Sequence, residues 1–451
     1  MKNSFYNLFF DINKKLILFN SLSGNIIEIG PEMKAALETG NFKDIPSDTI
    51  PELVEMGFLQ EEDVDQTTEY LSRYEHSKER NSILDLKLFM ATSCNLGCPY
   101  CYQSAPAKPG NVIQKNEVDK LIKWIEWEVS KNGVKGLNLE FYGGEPLLAR
   151  MQMPRLISQL NQIFDKYNLP VSYSIITNAT LIDDSIIDLF IANNVSMQIT
   201  MDGDEKTHDS RRAWKTTGKG SFQQIFENLE KICKRGGANL IRIRMNVDQR
   251  NISEVHSVAS RAHGLGITSF TCGRIHFREK ENEYAAEMIS SKDFDENYDY
   301  EIFRILQPFG FADSPSKLDS IDTCLFHWKR GYSVSPSLHL FKCDELIDYP
   351  EFCVGQIGED GIPQINQVEY DRAVSRKPTD FEHCTSCRYL PQCGSGCSIR
   401  ALNAKGTPHI NFCEATYDSV HRKVAAYVRA DSEGLISTEA SSKCSNCHCG
   451  N

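Results

Sequence analysis

Apolar residues recur along the chain with two different periods, and the change of period divides the chain into regions. Between residues 6 and 29, short apolar runs separated by turn residues predict a small antiparallel sheet. The apolar spacing at 31–39 and 48–57 predicts two short helices, and the charged stretch 61–81 predicts a linker helix. Residues 1–80 therefore form the first predicted domain.

Apolar strands alternate with amphipathic helices through the next part of the chain. The predicted strands are 84–90, 137–142, 171–176, 195–201, 240–247 and 268–272, and the predicted helices are 114–131, 150–167, 182–193, 221–235 and 251–264. Strands that alternate with helices predict parallel βα units, arranged as an open doubly wound sheet or as a partial barrel. In both architectures, reactive groups lie in loops that follow the carboxyl ends of the strands.

The periodic pattern ends after about residue 275. Polar, acidic sequence follows, then a cysteine-rich region from Cys324 to Cys413 and a closing helix predicted at 414–430. The predicted domains are thus 1–80, 81–300, 301–430 and a flexible tail, 431–451, that carries Cys444, Cys447 and Cys449.

Composition narrows the class of protein. The chain has 451 residues, and 49 basic against 61 acidic side chains give a net charge of −12. This balance argues against a nucleic-acid binder and against a polybasic membrane-surface protein. The chain does not open with a basic segment followed by an apolar one, and it has no run of about 18 apolar residues, so we expect a cytoplasmic protein. In that reducing compartment, the 16 cysteines are expected to bind metal rather than to form disulfides.

Three cysteines follow the first predicted strand of the second domain. Cys94, Cys98 and Cys101 have the spacing C-x3-C-x2-C, and Tyr100 directly precedes the third. A closed structural zinc site takes four protein ligands, whereas a cubane cluster on three thiolates keeps one iron free for another ligand. The triplet therefore predicts an iron–sulfur cluster with an open iron, and a zinc knuckle is the alternative.

The triplet resembles that of the radical S-adenosylmethionine (SAM) enzymes, and motifs after later strands extend the resemblance over residues 84–275. These motifs are Gly143-Gly144-Glu145-Pro146, Thr177-Asn178-Ala179-Thr180, Thr200-Met201-Asp202-Gly203, His208-Asp209-Ser210-Arg211-Arg212 and Arg244-Met245-Asn246-Val247. Ala179 stands where the family has glycine. We assign no chemical step to His208. A role in starting a helix or in packing fits this residue at least as well as a role in the reaction.

The resemblance implies an α/β fold with a partial (β/α)6 TIM-like barrel. It also implies a [4Fe–4S] cluster whose open iron takes SAM, and a 5′-deoxyadenosyl radical that abstracts a hydrogen atom. The residues implied to contact SAM are Tyr100, Gly143, Gly144, Glu145, Asn178, Thr200, Asp202, Arg244 and Asn246. In particular, the two glycines are expected to let the backbone approach the ligand, and Glu145 to accept from the SAM ammonium.

A second group of cysteines resembles the seven-cysteine SPASM domain, which binds two auxiliary [4Fe–4S] clusters. The resemblance implies an outer set, Cys384, Cys387, Cys393 and Cys413, and an inner set, Cys324, Cys343 and Cys397. The fourth inner ligand is either Cys353 or none, in which case the iron stays open for a substrate thiolate. Leu338 replaces an expected glycine. Zinc ribbons and disulfides are the alternatives.

Two further features bear on the substrate. Asp344 follows Cys343, and an aspartate at a similar place is the proposed base in the sulfatase-maturing branch of the superfamily; its alternative role is a backbone hydrogen bond beside a cluster. The 1–80 domain resembles the winged-helix element that docks a leader peptide as an added strand, and its alternative role is a stabilising cap.

These features favour a maturase that installs a thioether or carbon–carbon crosslink in a ribosomally made peptide. Its expected partners are a precursor peptide with a leader segment and a one-electron reductant such as flavodoxin or ferredoxin, with no nucleic acid and no membrane. The alternatives are a formylglycine-generating sulfatase-maturing enzyme and a non-catalytic iron–sulfur or zinc-binding interaction protein.

Overall fold

The N-terminal residues fold around a small antiparallel sheet. The structure is a computed structural model that describes residues 1–103, 111–275, 288–290, 293–294, 298–315, 318, 323–413 and 416–436. Strands β2 (Asn7–Ile12), β3 (Lys15–Asn20) and β4 (Ile26–Ile29) form a sheet in the order β2-β3-β4, and β1 (Lys2–Asn3) pairs with β5 (Leu59–Gln60). The helices are α1 (Pro31–Thr39), α2 (Ile50–Glu55) and α3 (Gln66–Ser77).

The predicted antiparallel sheet and the two short helices are confirmed. The predicted linker helix is shorter than expected, because the Asp65 side chain accepts hydrogen bonds from Thr67 N and Thr68 N and so caps α3 at its start. The resemblance to a winged helix stays a prediction.

A parallel sheet forms the centre of the molecule. Its strands are β6 (Ile83–Ala91), β7 (Gly136–Gly143), β8 (Val171–Thr177), β9 (Ser196–Thr200), β10 (Ile241–Val247) and β11 (Ser269–Arg274), in the order β11-β10-β9-β8-β7-β6. The helices between them are α4 (Lys115–Lys131), α5 (Met153–Tyr167), α6 (Asp184–Ala192), α7 (Glu205–Arg211), α8 (Phe222–Lys234) and α9 (Val255–Gly264). The alternation predicted from the sequence is confirmed, and it is consistent with a partial barrel.

Each of these strands has an apolar face and a polar face. Along β10, for example, Ile241, Ile243 and Met245 are buried, whereas Arg242 is exposed and Arg244 is partly buried. The buried faces pack with the helices in one large apolar cluster, because side chains alternate between the two sides of a strand. The opposite face of the sheet carries mostly polar side chains.

Four short strands that the sequence did not predict extend the same sheet. β12 (Gly331–Val334) pairs in parallel with β6, and β13 (His339–Phe341), β14 (Gly355–Ile357) and β15 (Pro363–Ile365) continue from it in antiparallel pairs. Strands of three or four residues are too short to show a period. The boundary predicted at residue 300 therefore falls within a unit that shares one ten-stranded sheet.

The remaining helices surround the C-terminal half. They are α10 (Asp299–Leu306), α11 (Gln367–Ser375), α12 (Leu390–Cys393), α13 (Ser398–Lys405) and α14 (Thr416–Ser432). α10 begins where the polar, acidic sequence ends, in a region for which no helix was predicted, and α14 confirms the closing helix. Within the described part of the chain, no helix has both the length and the apolarity to cross a membrane. Cys444, Cys447 and Cys449 of the predicted tail lie outside the described residues.

The N-terminal unit packs directly on the C-terminal one. One face of the β2-β3-β4 sheet, including Ile17 and Phe19, contacts Val420, Val424 and Val428 on α14. The other face packs on α1 and α2. The predicted boundary near residue 80 thus separates two segments of sequence, but it does not separate their cores.

Candidate active site

The cysteine triplet lies at the carboxyl end of the parallel strands. Cys94, Cys98 and Cys101 occupy the loop that follows β6, and Gly97 N in this loop donates to Ala213 O at 2.9 Å. The structure therefore places the three thiols where the βα architecture concentrates reactive groups.

The donor set fits an iron–sulfur cluster. Burial raises the pKa of Cys94 to about 12, and it also raises the pKa of Cys98. Thiolates at these positions need a compensating positive charge, which bound iron supplies. Among the described residues, no three His, Cys, Asp or Glu side chains converge on a single metal ion. In a cluster each thiolate binds a separate iron, so the triplet does not need to converge on one point.

The two glycines after β7 approach the cysteine loop itself. Gly144 N donates to Ala91 O at 2.9 Å. A Cβ atom would lie 2.1 Å from Ala91 O at Gly143, and 2.2 Å from Ser93 O at Gly144. Gly143 also has a φ of 135°, which favours glycine. We expected these glycines to approach the ligand; the close contacts that the structure shows are with the backbone of residues 91–93.

Glu145 joins the loops after β7 and β8. Its fully buried carboxylate accepts hydrogen bonds from Leu147 N at 3.0 Å, Thr177 Oγ1 at 2.6 Å and Asn178 N at 2.8 Å. Burial raises its pKa, and these hydrogen bonds act in the opposite direction. Glu145 thus positions the loop that carries Asn178, whose Nδ2 lies 3.7 Å from Cys94 Sγ. A contact between Glu145 and SAM stays a prediction.

Asp202 connects the loop after β9 to the cysteine loop and to strand β10. It is fully buried, and it accepts from Asn246 N at 2.8 Å and from the hydroxyl of Tyr100. Arg212 Nη1 donates to that hydroxyl at 2.6 Å and lies 3.5 Å from Asp202 Oδ2. The structure therefore brings Tyr100, Asp202 and Asn246 together. The contacts of Arg212 were not predicted from the sequence. The only signal for them was that Arg212 ends the H-D-x-x-R motif.

Arg244 on β10 and Thr200 on β9 lie opposite each other on adjacent parallel strands, near the carboxyl ends of these strands. Arg244 Nε donates to Asn246 Oδ1 at 3.2 Å. A Cβ atom at Gly273 would lie 1.9 Å from Arg244 Nη2, so Gly273 makes room for the guanidinium. Gly273 lies just beyond the predicted strand 268–272 but inside the observed strand β11, so the prediction did not indicate this close contact.

Ala179 and Leu338 show why the family has glycine at these two positions. Ala179 has a φ of 60°, and Leu338 has a φ of 65°. Both residues therefore adopt the left-handed conformation that glycine adopts without steric cost. The backbone conformation that favours glycine is present at both positions, although glycine is not.

His208 has a structural role. Its imidazole is fully buried, and Nδ1 accepts from Asp202 N at 3.2 Å. Nε2 lies 3.2 Å from Ser221 Oγ, and that hydroxyl donates to Arg212 O at 2.6 Å, so Nε2 carries the proton. Burial, helped by the two neighbouring arginines, lowers the pKa of His208 well below its usual value. A neutral His208 therefore fixes the loop that contains Asp202.

Asp344 lies in a polar cluster beside the parallel strands. Its Oδ2 accepts from Tyr102 OH at 3.3 Å, and its Oδ1 lies 3.5 Å from Lys87 Nζ. Tyr102 OH is 2.7 Å from Tyr142 OH, and Lys87 also pairs with Glu140 at 3.2 Å. Burial lowers the pKa of Lys87, but the two carboxylates outweigh it and hold that pKa above its usual range. We did not single out Lys87, Tyr102 or Tyr142 from the sequence, because no local motif indicates these contacts.

The second group of cysteines separates into two neighbourhoods. Cys324 interacts electrostatically with Cys343 and Cys397, whereas Cys384 interacts with Cys387 and Cys413. Burial raises the pKa of Cys324, Cys343 and Cys384, so these thiols too need a positive partner to ionise. This arrangement is consistent with the implied inner and outer sets; Cys393 ends α12, and its membership of the outer set stays a prediction.

Cys353 makes a different contact. Its thiol donates to Gly355 O at 3.1 Å and lines a cavity of about 420 Å³. The cavity also receives Phe89 from β6, His339 from β13 and Gln103 from the segment after the cysteine triplet. It therefore lies next to the polar cluster of Asp344, and its volume is in the range of ligand sites.

The chain is similar in sequence to known enzymes. Residues 88–282 match the Radical SAM superfamily. Over 352 residues the chain is 24% identical to the cysteine-type anaerobic sulfatase-maturating enzyme of Clostridium novyi, covering 72% of this chain and 91% of that enzyme. Over 333 residues it is 24% identical to the antilisterial bacteriocin subtilosin biosynthesis protein AlbA of Bacillus subtilis, covering 71% of this chain and 68% of AlbA.

The fold is shared with SuiB of Streptococcus suis. The structure of SuiB bound to S-adenosylmethionine aligns with a TM-score of 0.52 at 16% identity. The structure of SuiB bound to the precursor peptide SuiA aligns with a TM-score of 0.53 at 15% identity. Each alignment covers 92% of this chain and 99% of SuiB.

We expect the substitution His208→Asn to make stability less sensitive to acid. A histidine whose pKa is lowered by folding binds protons mainly in the unfolded state, so stability falls as the pH drops below the unfolded pKa of about 6.5. Between about pH 7.5 and about pH 5.5 this amounts to about 1.4 kcal/mol. Urea unfolding at both pH values should show the variant losing that much less than the wild type. His76→Asn, at an exposed position, is the control, and an unchanged pH dependence in His208→Asn would contradict a buried neutral imidazole.

Proposed function

Because the chain is a radical SAM enzyme, we propose that it acts on a ribosomally made precursor peptide and installs a thioether or carbon–carbon crosslink. The observation that carries the proposal is the N-terminal unit, whose antiparallel sheet ends at the edge strand β4. AlbA takes part in the biosynthesis of a bacteriocin, and SuiB has been seen with a precursor peptide. The structural alignment with SuiB covers 92% of this chain with a TM-score of 0.53, and that with native anSMEcpe covers 77% with a TM-score of 0.60. The non-catalytic alternative is wrong, because the chain is an enzyme.

In this proposal Cys94, Cys98 and Cys101 hold one [4Fe–4S] cluster, and SAM binds at its open iron. When bound, these groups supply a 5′-deoxyadenosyl radical, and the auxiliary clusters supply an electron acceptor. Glu145 and Asp202 keep the loops that would contact SAM in place. The residues proposed to contact SAM remain Tyr100, Gly143, Gly144, Glu145, Asn178, Thr200, Asp202, Arg244 and Asn246. A one-electron reductant such as flavodoxin or ferredoxin and a cytoplasmic location complete the proposal.

The edge of β4 is suited to main-chain recognition. Asn20 N donates to Asn25 O, which makes these two residues a hydrogen-bonded pair next to the turn. Pairs alternate along an antiparallel ladder, so Ile27 bonds to β3 and Glu28, opposite Ile17, directs its N–H and C=O outward. A leader peptide that adds as a strand would use these groups, and such contacts depend little on side-chain sequence.

Asp344 is the proposed general base. Its carboxylate contacts Lys87 and Tyr102, and the Tyr102 hydroxyl accepts from Gln103, which lines the cavity of Cys353. A carboxylate held in this way can take a proton from substrate next to the reacting carbon. The same residue supports the second candidate function, oxidation of a cysteine or serine to formylglycine, because the sulfatase-maturating enzyme is among the relatives.

The auxiliary clusters are assigned as the family resemblance implies. Cys384, Cys387, Cys393 and Cys413 are proposed to hold the outer cluster, and Cys324, Cys343 and Cys397 the inner cluster. The bond from the Cys353 thiol to Gly355 O favours the alternative in which the inner iron keeps one position open. Sulfur of the substrate is then a possible ligand, which would suit thioether formation.

Iron content separates these alternatives. Anaerobic reconstitution should give about twelve iron atoms per chain, at four for each of three cubanes. Cys353→Ser should keep this content, because its thiol bonds to a carbonyl, whereas Cys397→Ser should lose about four iron atoms. Iron and sulfide analysis of the three proteins makes the measurement. Loss of a cluster from Cys353→Ser would assign that thiol as the fourth ligand, and zinc in place of iron would contradict the proposal.

Asp344→Asn tests the proposed base. We expect the variant to release 5′-deoxyadenosine while its rate of peptide modification falls about 100-fold or more, because an amide cannot take the proton. Liquid chromatography with mass spectrometry of reactions with a candidate precursor peptide measures both 5′-deoxyadenosine and the modified peptide; a crosslink removes a pair of hydrogens from the peptide. Glu351→Gln, an exposed acid nearby, is the control. Unchanged modification by Asp344→Asn would rule out the base.

Glu28→Pro tests strand addition. Proline removes the outward N–H of β4 without touching a bond to β3, so we expect peptide affinity to fall about tenfold, the effect of one main-chain hydrogen bond. Glu28→Ala loses the same ion pair with Lys15 but keeps the N–H, and it should bind as the wild type does. Fluorescence anisotropy with a labelled leader peptide provides the affinities. Equal affinity of the two variants for the leader peptide would contradict strand addition at β4 and would favour the alternative role of this unit, a stabilising cap.

A further inference from the structure

The side chain of Arg376 lies between segments that carry cysteines of both auxiliary sets. Arg376 follows α11 and is 2% exposed. Its Nη2 donates to Ser395 O at 2.9 Å and to Ile410 O at 3.1 Å. Ser395 lies between Cys393 and Cys397, and Ile410 precedes Cys413 by three residues. The guanidinium thus holds two cysteine-bearing segments in place.

A third contact leads to the inner set. Arg376 Nη1 is 3.0 Å from His327 Nε2, and His327 Nδ1 is 3.7 Å from Cys324 Sγ. Because Nε2 accepts from the guanidinium, Nδ1 carries the imidazole proton and faces the sulfur. The imidazole is therefore neutral, because a ring nitrogen that accepts from the guanidinium carries no proton.

The positive charge of Arg376 has no acidic partner among its contacts. Its hydrogen-bond partners in the described chain are carbonyl oxygens and one neutral imidazole, and its buried Nε has none. An arginine stays protonated even when buried, and a buried charge without a counter-ion is costly. Its electrostatic partners are Tyr74 and the thiols of Cys324, Cys384 and Cys393. Negative charge on these cysteine sites would therefore balance the positive charge of Arg376.

We propose that Arg376 is the counter-charge shared by the two auxiliary clusters, and that it raises the reduction potential of both. This inference rests on the proposed auxiliary clusters. A cluster gains one negative charge when it takes up an electron, and a nearby cation stabilises that reduced form more than the oxidised form. Arg376 is thus a positioning residue that makes the auxiliary sites better acceptors for an electron from substrate.

The test compares the reduction potentials of reconstituted wild type, Arg376→Met and Arg376→Lys, followed by electron paramagnetic resonance. In Arg376→Met the ratio of reduced to oxidised auxiliary cluster at a fixed potential should fall about tenfold, which is about 59 mV for one electron. Arg376→Lys keeps the charge and should shift less. The signal of the cluster on Cys94, Cys98 and Cys101 should stay in place. Arg372→Met, on the exposed face of α11, is the matched control and should leave all potentials unchanged.

The outcomes separate this inference from the proposed function. Full iron content with unmoved auxiliary potentials in Arg376→Met would overturn the inference and leave the function standing. Equal loss of auxiliary iron from the Met and Lys variants would also overturn it, because the residue would then act only as a clamp. A wild type that binds iron for one cluster alone would remove the auxiliary sites, and the inference with them.

Discussion

Two buried carboxylates hold together the loops at the carboxyl end of the parallel sheet. Loops after parallel strands have few backbone partners of their own, and here Glu145 and Asp202 supply the missing acceptors. Each carboxylate joins two loops that are distant in sequence. Because a buried carboxylate is costly unless its oxygens accept hydrogen bonds, the donors and the acids fix one another. The cysteine loop is connected to this framework through Tyr100 and Gly144, so the geometry of its three thiols depends on the same contacts.

The sequence predicted the part of the fold that has a period, and it predicted the loops that carry the site. Every strand and helix that was predicted between β6 and β11 lies close to its predicted place, because the apolar residues there recur with the period of the element that packs them. The short helix α7 was not predicted. β12 to β15 were missed because their pairing partners are distant in sequence and each strand is short. The glycine-rich loop was located correctly, but Gly143 and Gly144 contact the cysteine loop, a contact that only the folded chain contains.

The same limit explains the residues that sequence reasoning did not find at the site. Tyr102 and Lys87 contact Asp344 because β12 pairs with β6. This pairing brings the chain around Asp344 close to the first strand of the parallel sheet. Arg212 was part of a motif without an assigned role, and its role depends on Tyr100, more than one hundred residues earlier. Motifs indicate which loops matter, whereas the contacts between loops follow from topology.

The N-terminal unit can serve both as a peptide-docking element and as a stabilising cap, because the two roles use different parts of its surface. Its α3 helix packs Tyr70 and Tyr74 against Leu390, in a cluster that also includes Cys384 and Cys387 of the outer set. Lys78, just after α3, donates to the backbone oxygen of Arg376 at 3.1 Å. Removing residues 1–80 would therefore expose the outer cysteines as well as abolish the β4 edge. A peptide bound at β4 would lie on a unit that also packs against cysteines of the proposed outer cluster, so the same unit would serve both peptide docking and burial of that proposed site.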